Sequence, residues 1–268
     1  MAWHLYLFSD LHLEINGSVR VMKVIEQLDK IHIEPDDLLV LAGDIFSPNV
    51  ITYGKFFTYV NKKFNTILYV LGNHEYYSKG NNYLLTKNKI RQVLAPFTNV
   101  HILDNETYVH RGIKFIGTTL WTKITRNFAF VEAKANDYHQ IYKNNKPIRV
   151  TDVNSWNRKN VEWLEVQLEN VERLDEQCIV ITHHAPLYND PHQNIIVSSH
   201  DRVTIGLEEV YHNDLSRLLN KKILAWCYGH THHATNFTYK DVIFFSNPFG
   251  YPGEETGFIL TETLLVES

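Results

Sequence analysis

Features that would place a chain in a specialised class are scarce in this sequence. There are two cysteines, Cys178 and Cys227, each inside an apolar run and without the paired spacing of a zinc knuckle. We interpret them as small buried residues in adjacent strands, with a disulfide or a thiolate metal ligand as the alternative. Such sparing use of cysteine indicates a reduced environment, and we expect a cytoplasmic protein.

An excess of charge of one sign is also missing. The formal net charge is −4, from 26 basic and 30 acidic residues. Bulk charge therefore gives no attraction to nucleic acid or to an anionic membrane. We expect no dedicated nucleic-acid module, and the sequence leaves the oligomeric state open.

Long hydrophobic runs and linkers are absent. No stretch approaches the ~18 apolar residues of a membrane span. The first apolar run lacks a basic region before it and is broken at Ser9 and Asp10, so we expect no signal peptide. No Pro/Gly/Ser-rich linker or internal repeat divides the 268 residues, and we expect a single domain over residues 1–268.

Short apolar runs with strand character recur along the chain. They lie at 4–9, 37–42, 66–71, 99–103, 112–117, 177–182, 223–228, 241–245 and 257–261. Helical periodicity lies between several of them, and Ser18 is interpreted as the N-cap of the first helix. The positions with helical spacing are Val21, Ile25 and Leu28; Val161, Leu164, Leu168 and Val171; and, for a shorter helix, Leu215, Leu218 and Leu219.

The order of these elements predicts an α/β fold. Strands and helices alternate in the first third, which favours parallel strands with crossover helices, whereas the C-terminal region favours hairpins. Two sheets packed face to face with helices outside would accommodate both. Residues 122–150 are polar, aromatic and basic without clear periodicity, and an insertion of this kind predicts a functional cap or lid.

Polar clusters follow five of the strand-like runs. They are Asp10-Leu11-His12, Gly43-Asp44, Gly72-Asn73-His74-Glu75, His183-His184 and Gly229-His230-Thr231-His232. At one edge of a folded core they would supply carboxylate, amide and imidazole ligands for a two-metal centre. Because side chains alternate along a strand, Asp10 and His12 would project the same way, as would His230 and His232 if the extended conformation continues.

The ligand types indicate transition metals. Imidazole and carboxylate together suit Zn, Mn, Fe, Co or Ni better than Ca or Mg. With Asp44 as a bridge, the cluster would keep a surplus of positive charge that can hold a hydroxide and a phosphate together. Each cluster alone is equally well explained by turn residues at strand ends, and their joint occurrence is what indicates a metal site.

The order of the clusters, D-x-H, G-D, G-N-H-E, a histidine before a Pro-containing turn and G-H-x-H, resembles the motif series of the calcineurin-like metallophosphoesterase superfamily. The resemblance extends from Asp10 to His232. It implies a four-layer α-β-β-α sandwich with two mixed sheets and a dinuclear site on the loops at the strand ends. By matching residues, it implies one ion held by Asp10, His12, Asp44 and His232 and a second held by Asp44, Asn73, His183 and His230.

The same resemblance implies roles for neighbouring residues. His74 matches a histidine that is not a ligand and that assists the leaving group or steadies the phosphate, so the catalytic candidates are His74 and Asp44. Glu75 stands where the family often has Asp and is not a ligand. In THHAP either His183 or His184 could be the ligand, and we favour His183 because related proteins often read T-H-G there.

Three further segments resemble a bacterial, mostly uncharacterised branch of the superfamily. They are GTTLW (117–121), NDY (136–138) and SNPFGYP (246–252). We expect them either to shape the substrate pocket or to act as packing and turn residues.

The function implied by the resemblance is hydrolysis of a phosphate ester by a metal-bound hydroxide that attacks in line with the leaving oxygen. His74 would donate a proton to that oxygen. The expected substrate is a small phosphodiester or nucleotide, with phosphoprotein dephosphorylation and lipid-pyrophosphate hydrolysis as alternatives. A metal-binding scaffold of the same fold is the alternative outside enzymes, although no ligand position is missing here.

Overall fold

The structure of the chain is a computed structural model that describes residues 2–47, 53–78, 80, 82–188 and 206–267. Its strands are β1 (Ala2–Phe8), β2 (Leu38–Ala42), β3 (Thr66–Val70), β4 (Val100–Ile102), β5 (Glu106–His110), β6 (Ile113–Thr118), β7 (Tyr142–Lys143), β8 (Lys146–Pro147), β9 (Cys178–Thr182), β10 (Ile223–Tyr228), β11 (Thr235–Tyr239), β12 (Val242–Ser246) and β13 (Thr263–Glu267). Its helices are α1 (Gly17–Leu28), α2 (Tyr53–Lys63), α3 (Tyr83–Leu94), α4 (Phe128–Lys134), α5 (Asp137–Gln140) and α6 (Val150–Arg173), with short 3-10 turns at His74–Tyr76, Glu208–Val210 and Ser216–Leu218.

The first sheet has the order β13-β1-β2-β3-β4. Strands β1 to β4 are parallel, whereas β13 pairs antiparallel with β1. Every residue of β2 and β3 is buried, as expected for parallel strands that are covered on both faces and therefore read as continuous apolar runs.

The second sheet has the order β11-β12-β10-β9-β6-β5. Its central strands β12, β10, β9 and β6 are parallel, and an antiparallel hairpin partner lies at each edge. Both sheets are thus mixed, and each has a parallel centre whose strand ends face one way.

Three apolar clusters hold the layers together. One lies between the sheets and joins residues such as Val40 and Leu68 to Ile179 and Ala225. The others pack α1, α2 and α3 on the first sheet and α6 on the second. The order of layers is helix, sheet, sheet, helix, which confirms the predicted four-layer sandwich with two mixed sheets.

The last predicted strand is wrong. Residues 257–261 form a loop, and the strand lies further on, at β13. Two features explain this. Gly257 has a left-handed φ of 81°. The side chain of Asn247 accepts the N–H of Ile259 and donates to its carbonyl, so these backbone groups do not pair with a neighbouring strand.

Two predicted helix features also differ. Helix α1 begins at Gly17 with Asn16 at its N-cap, so Ser18 lies inside the helix. The short helix expected around Leu215 is only the 3-10 turn Ser216–Leu218. The sequence pattern also missed the edge strands β5 and β11, because both are half exposed and carry polar residues.

Residues 122–150 are more regular than their sequence predicts. They contain α4, α5 and the two-stranded hairpin β7–β8. Val131, Tyr138 and Ile141 are buried and pack with the cluster on the first sheet. The segment is therefore firmly attached to the core, and its role as a cap stays a prediction.

The two cysteines lie where the sequence predicts. Cys178 and Cys227 are buried and unbonded, and they belong to the neighbouring strands β9 and β10. Among the described residues, no helix combines the length and the apolarity needed to cross a membrane.

We expect Ile179→Ala to lower the free energy of unfolding by about 2–5 kcal/mol, because it leaves a cavity between the two sheets. Ile179 is 0% exposed, whereas Ile259 is 52% exposed. Ile259→Ala is thus the matched control and should change stability by no more than about 0.5 kcal/mol. Urea denaturation of both variants measures the difference, and equal losses would contradict the assignment of the inter-sheet core.

Candidate metal centre

The polar clusters meet at the carboxyl ends of the parallel strands. Asp10 and His12 follow β1, Asp44 follows β2, and Asn73 with His74 follows β3; His183 follows β9, and His230 with His232 follows β10. Parallel strands direct their carboxyl ends to one edge of a sheet, and side chains there converge on a common crevice. The structure brings all seven predicted ligands and His74 together at this edge.

The backbone conformation at several of these residues differs from the extended strand that the sequence predicts. Asp10 and His12 reach one group, but not along the extended strand that the sequence predicts, and the extended conformation on which the prediction for His230 and His232 depends does not continue to them. Strands β1 and β10 end before these residues, which adopt left-handed φ values of 54°, 44°, 68° and 52°. Asp44 has a φ of 55°. Such conformations are costly for residues other than glycine and concentrate at functional sites.

A first group consists of Asp10, His12 and His232. The two Nε2 atoms of the histidines lie 3.1 Å apart, and His232 Nε2 lies 3.4 Å from Asp10 Oδ1. The outer nitrogen of each ring is held by a carboxylate: His12 Nδ1–H donates to Glu14 over 3.1 Å, and His232 Nδ1–H donates to Glu254 over 2.6 Å. These bonds aim both Nε2 atoms at the space beside Asp10.

A second group consists of Asp44, Asn73, His183 and His230. His183 Nδ1–H donates to the Ala42 carbonyl over 2.8 Å, which leaves a lone pair on Nε2. That atom lies 2.9 Å from Asn73 Oδ1, 3.2 Å from His230 Nδ1 and 3.4 Å from Asp44 Oδ1. The Nε2 of His230 is buried and has no hydrogen-bond partner in the described part of the chain.

Asp44 lies between the two groups. Its Oδ2 is 4.0 Å from His12 Nε2, while its Oδ1 faces His183 and accepts the His74 N–H over 2.8 Å. Behind it, the Glu75 carboxylate accepts the N–H groups of Asp44, Ile45 and Gly72. Glu75 thus ties the turn after β2 to the turn after β3 without facing the site.

The electrostatics favour a cation at this position. Burial lowers the pKa of His12 and His183 to about 4, so both rings are neutral at pH 7. Burial, with Glu75 and Asp10 nearby, raises the pKa of Asp44 well above its usual value. Burial opposes charge on His232, but its hydrogen bonds to Asp10 and Glu254 prevail and raise its pKa to about 9.

These shifts fit a metal centre. Neutral imidazoles offer lone pairs, Asp44 is buried near further carboxylates, and the field around His232 holds a positive charge that a metal ion would supply equally well. Three groups of histidine and aspartate side chains place their ligand atoms within 4.8 Å of one another: Asp10, His12 and His232; His12, Asp44 and His74; and Asp44, His183 and His230. The donor set fits two divalent transition metal ions.

His74 lies beside the groups and faces a cavity. Its Nδ1–H donates to Glu14 over 2.9 Å, its Nε2 lies 3.8 Å from Asp44 Oδ2, and the Tyr251 hydroxyl is 3.2 Å from that Nε2. The cavity measures about 190 Å³, and its walls include Tyr77, Lys134, Leu207 and Tyr211. A small substrate group can therefore reach His74 and both histidine–aspartate groups together.

The two histidines of THHAP, His183 and His184, lie in different surroundings. His183 faces Asp44 and Asn73, as described above. His184 donates from Nδ1 to the Thr119 carbonyl over 3.2 Å and packs on the rings of His230 and Trp121. Among the described residues, the groups that could hold a metal ion include His183 and do not include His184.

Comparison with known proteins identifies the family. A family model described as calcineurin-like phosphoesterase matches residues 4–234. The chain belongs to the calcineurin-like phosphoesterase family. Membership supports metal-dependent hydrolysis of a phosphoester and leaves the substrate open.

Similar proteins include a viral relative and two solved structures. An uncharacterised protein of Acanthamoeba polyphaga mimivirus is 35% identical over 260 residues, which cover 93% of this chain and 92% of that protein. Among solved structures, the phosphopantetheinyl hydrolase of Mycobacterium tuberculosis has a TM-score of 0.62 at 15% identity, covering 93% of this chain and 90% of that one. A dimetal phosphatase from Danio rerio has a TM-score of 0.53 at 12% identity, covering 91% and 86%. These two structures show the fold.

Several residues of this calcineurin-like site were missed from the sequence. Glu14 continues the alternation of Asp10 and His12, which was the available signal. Asp137 and Tyr251 lie in the NDY and SNPFGYP segments, which the sequence marked without giving them partners. Glu254 has no sequence signal, because the loop that brings it to His232 is fixed by tertiary bonds: the N–H groups of Phe249 and Gly250 donate to the carbonyls of Ser9 and Asp10.

We expect Gly43→Ala to weaken the second group specifically. A Cβ at Gly43 would lie 2.3 Å from His183 Nδ1 and 2.8 Å from Gly72 Cα, so His183 must leave the Ala42 carbonyl. Loss of such an outer hydrogen bond lowers metal affinity by about 10–100-fold. Calorimetric titration with Mn²⁺ measures this loss.

Gly112→Ala is the matched control. Gly112 has a φ of 81° against 87° for Gly43, but no atom lies within 4 Å of its added Cβ. Both variants should lose about 1–2 kcal/mol of stability from left-handed strain. Gly43→Ala should lose more than Gly112→Ala because of its close contacts, and only Gly43→Ala should lose metal affinity. Equal Mn²⁺ affinity in the two variants would refute the geometry assigned to His183.

Proposed function

We propose that the chain is a dinuclear metal-dependent phosphoesterase. One ion is held by Asp10, His12, Asp44 and His232, and the other by Asp44, Asn73, His183 and His230. The observation that carries this proposal is the contact of 2.9 Å between Asn73 Oδ1 and His183 Nε2. Neither atom brings a proton to that contact, so a shared cation is the simplest source of attraction between them.

The chemistry of such ions is hydrolytic. When bound, two divalent ions lower the pKa of a water molecule and neutralise charge on the phosphate. The ligand types favour Mn, Fe, Zn, Co or Ni. The protein contributes the positions of the ligands, which are fixed by Glu14, Glu254 and the Ala42 carbonyl before any ion arrives.

His74 handles the proton of the leaving group. Because Nδ1–H is bound to Glu14, the atom free to exchange a proton is Nε2, which faces the cavity. The Glu14 carboxylate holds the ring in this orientation, much as an aspartate orients the histidine of a catalytic triad. A proton on Nε2 can then pass to the departing oxygen, and assistance of this kind contributes about 10²–10⁴-fold to the rate.

The cavity supports a small phosphodiester or nucleotide as substrate. Its volume of about 190 Å³ can take a small molecule. Lys134 is the one lysine or arginine among the described residues that line it, whereas Asp44 and Asp137 are both present. A monoester carries up to two negative charges and a diester one, and a wall whose described residues include a single lysine offers the second charge of a monoester little support beyond the metal ions.

We expect His74→Ala to lower kcat by about 10²–10⁴-fold on a phosphodiester with an alkoxide leaving group, and by less on bis-p-nitrophenyl phosphate, whose phenolate leaves without a proton. Both Mn²⁺ ions should stay bound, because His74 acts on the proton and not on the metal. Asp44→Asn should instead weaken binding of both ions. Metal content by mass spectrometry, measured beside turnover, separates the two effects.

His233→Ala is the control for the histidine change, since His233 neighbours His232 and is exposed. It should retain both metal and turnover. Full turnover of His74→Ala would remove His74 from the mechanism, and two tightly bound ions with no turnover on any phosphoester would favour a scaffold role.

We also expect a preference for diesters. The Mn²⁺-loaded wild-type chain should show a higher kcat/KM on bis-p-nitrophenyl phosphate than on p-nitrophenyl phosphate, and Lys134→Ala should change the monoester value more than the diester value. A wild-type preference for the monoester would contradict the substrate class.

A further inference from the structure

Asp137 connects the insertion to the metal centre. It begins α5 and is 6% exposed. Its Oδ1 accepts the Nδ2–H of Asn73 over 2.8 Å and the hydroxyl of Tyr77 over 2.7 Å, although 64 residues separate Asp137 from Asn73. The NDY motif thus reaches a proposed ligand directly.

The contact decides which end of the Asn73 amide faces the site. The oxygen and the NH₂ group of an amide have nearly the same shape, so hydrogen bonds alone select between the two orientations. In the observed orientation, Nδ2 donates outward to Asp137 and to the Tyr77 hydroxyl over 3.1 Å. Oδ1 consequently faces His183 Nε2.

The opposite orientation is locally attractive without a metal. A turned Asn73 would donate its NH₂ group to the lone pair of His183 Nε2, which would relieve the contact between two acceptors. It would also direct the amide oxygen at Asp137 Oδ1, an acceptor that already receives the hydroxyl of Tyr77. Asp137 therefore keeps the NH₂ group of Asn73 from turning into the site, where it would exclude a cation.

We propose that Asp137 is the positioning residue that keeps Asn73 Oδ1 directed at the second metal ion. This inference rests on the proposed function, in which Asn73 is a ligand. It gives residues 122–150 a role in metal binding and explains why an insertion far from the strand-end motifs carries a buried aspartate.

The decisive experiment exchanges the amide and the carboxylate between positions 73 and 137. In Asp137→Asn, the new amide can either accept from Asn73 or donate to it, so the contact no longer selects one orientation. The hydrogen bond to His183 Nε2 then favours the turned orientation, and affinity for the second Mn²⁺ should fall by about 10–100-fold. Asn73→Asp places two carboxylates in contact and should weaken the site by repulsion. In the double variant Asn73→Asp/Asp137→Asn, the amide at 137 donates to the carboxylate at 73, and the second Mn²⁺ should bind more tightly than in either single variant.

Calorimetric titration of the full chain with Mn²⁺ is the readout, with thermal unfolding measured alongside. Asp152→Asn is the matched control: Asp152 bonds the backbone of Arg149 and the side chain of Lys143 near the insertion but does not contact Asn73. It should leave affinity for both ions unchanged. Rescue by the double variant supports a positioning role, because a purely structural role would make the two losses add.

Wild-type affinity in Asp137→Asn, or a double variant that binds no better than the single variants, would overturn the inference. Absence of a second ion in the wild-type chain would overturn it together with the ligand assignment. If the wild-type chain binds two ions but hydrolyses no phosphoester, the proposed function fails and the positioning role of Asp137 does not. The titrations of the single and double variants measure binding and not turnover.

Discussion

The contact between His183 Nε2 and Asn73 Oδ1 is the constraint on which the site depends. Two acceptor atoms 2.9 Å apart in a buried space repel each other unless positive charge lies between them. The fold nevertheless enforces this contact, because the Ala42 carbonyl holds His183 from one side and Asp137 holds Asn73 from the other. The positions of the two acceptor atoms are therefore set by hydrogen bonds that His183 and Asn73 make on their sides away from the site.

The same principle extends to the first group. Glu14 accepts from both His12 and His74, so one carboxylate fixes a proposed ligand and the proposed proton donor together. Glu254 fixes His232 and also accepts the N–H of Tyr251, whose ring stacks on His12 at 4.4 Å. A change in either carboxylate would disturb metal binding and proton transfer at once, which is why the effect of His74 has to be separated by measuring metal content.

The sequence predicted the inner part of this molecule better than its outer part. Buried parallel strands such as β2 and β3 are continuous apolar runs, and polar residues directly after them mark the crevice without knowledge of the tertiary structure. Strand β13 and the residue Glu254 could not be found in this way. Their positions depend on Asn247 and on bonds to the Asp10 turn, which join parts of the chain that are distant in sequence. The cytoplasmic location, the metal identity and the oligomeric state stay predictions or open questions.

The walls of the cavity and the supports of the ligands belong to the same two segments. Residues 134–137 contribute Lys134 to the cavity and Asp137 to Asn73, and residues 251–254 contribute Tyr251 to the cavity and Glu254 to His232. Substrate contacts and metal contacts are then not independent in this chain. A substitution that reshapes either wall moves a residue next to a ligand support, so altered substrate preference should be accompanied by altered metal affinity. Strand-end residues such as Asp44, whose hydrogen bonds join it to the turns after β1 and β3, provide the frame against which both walls are set.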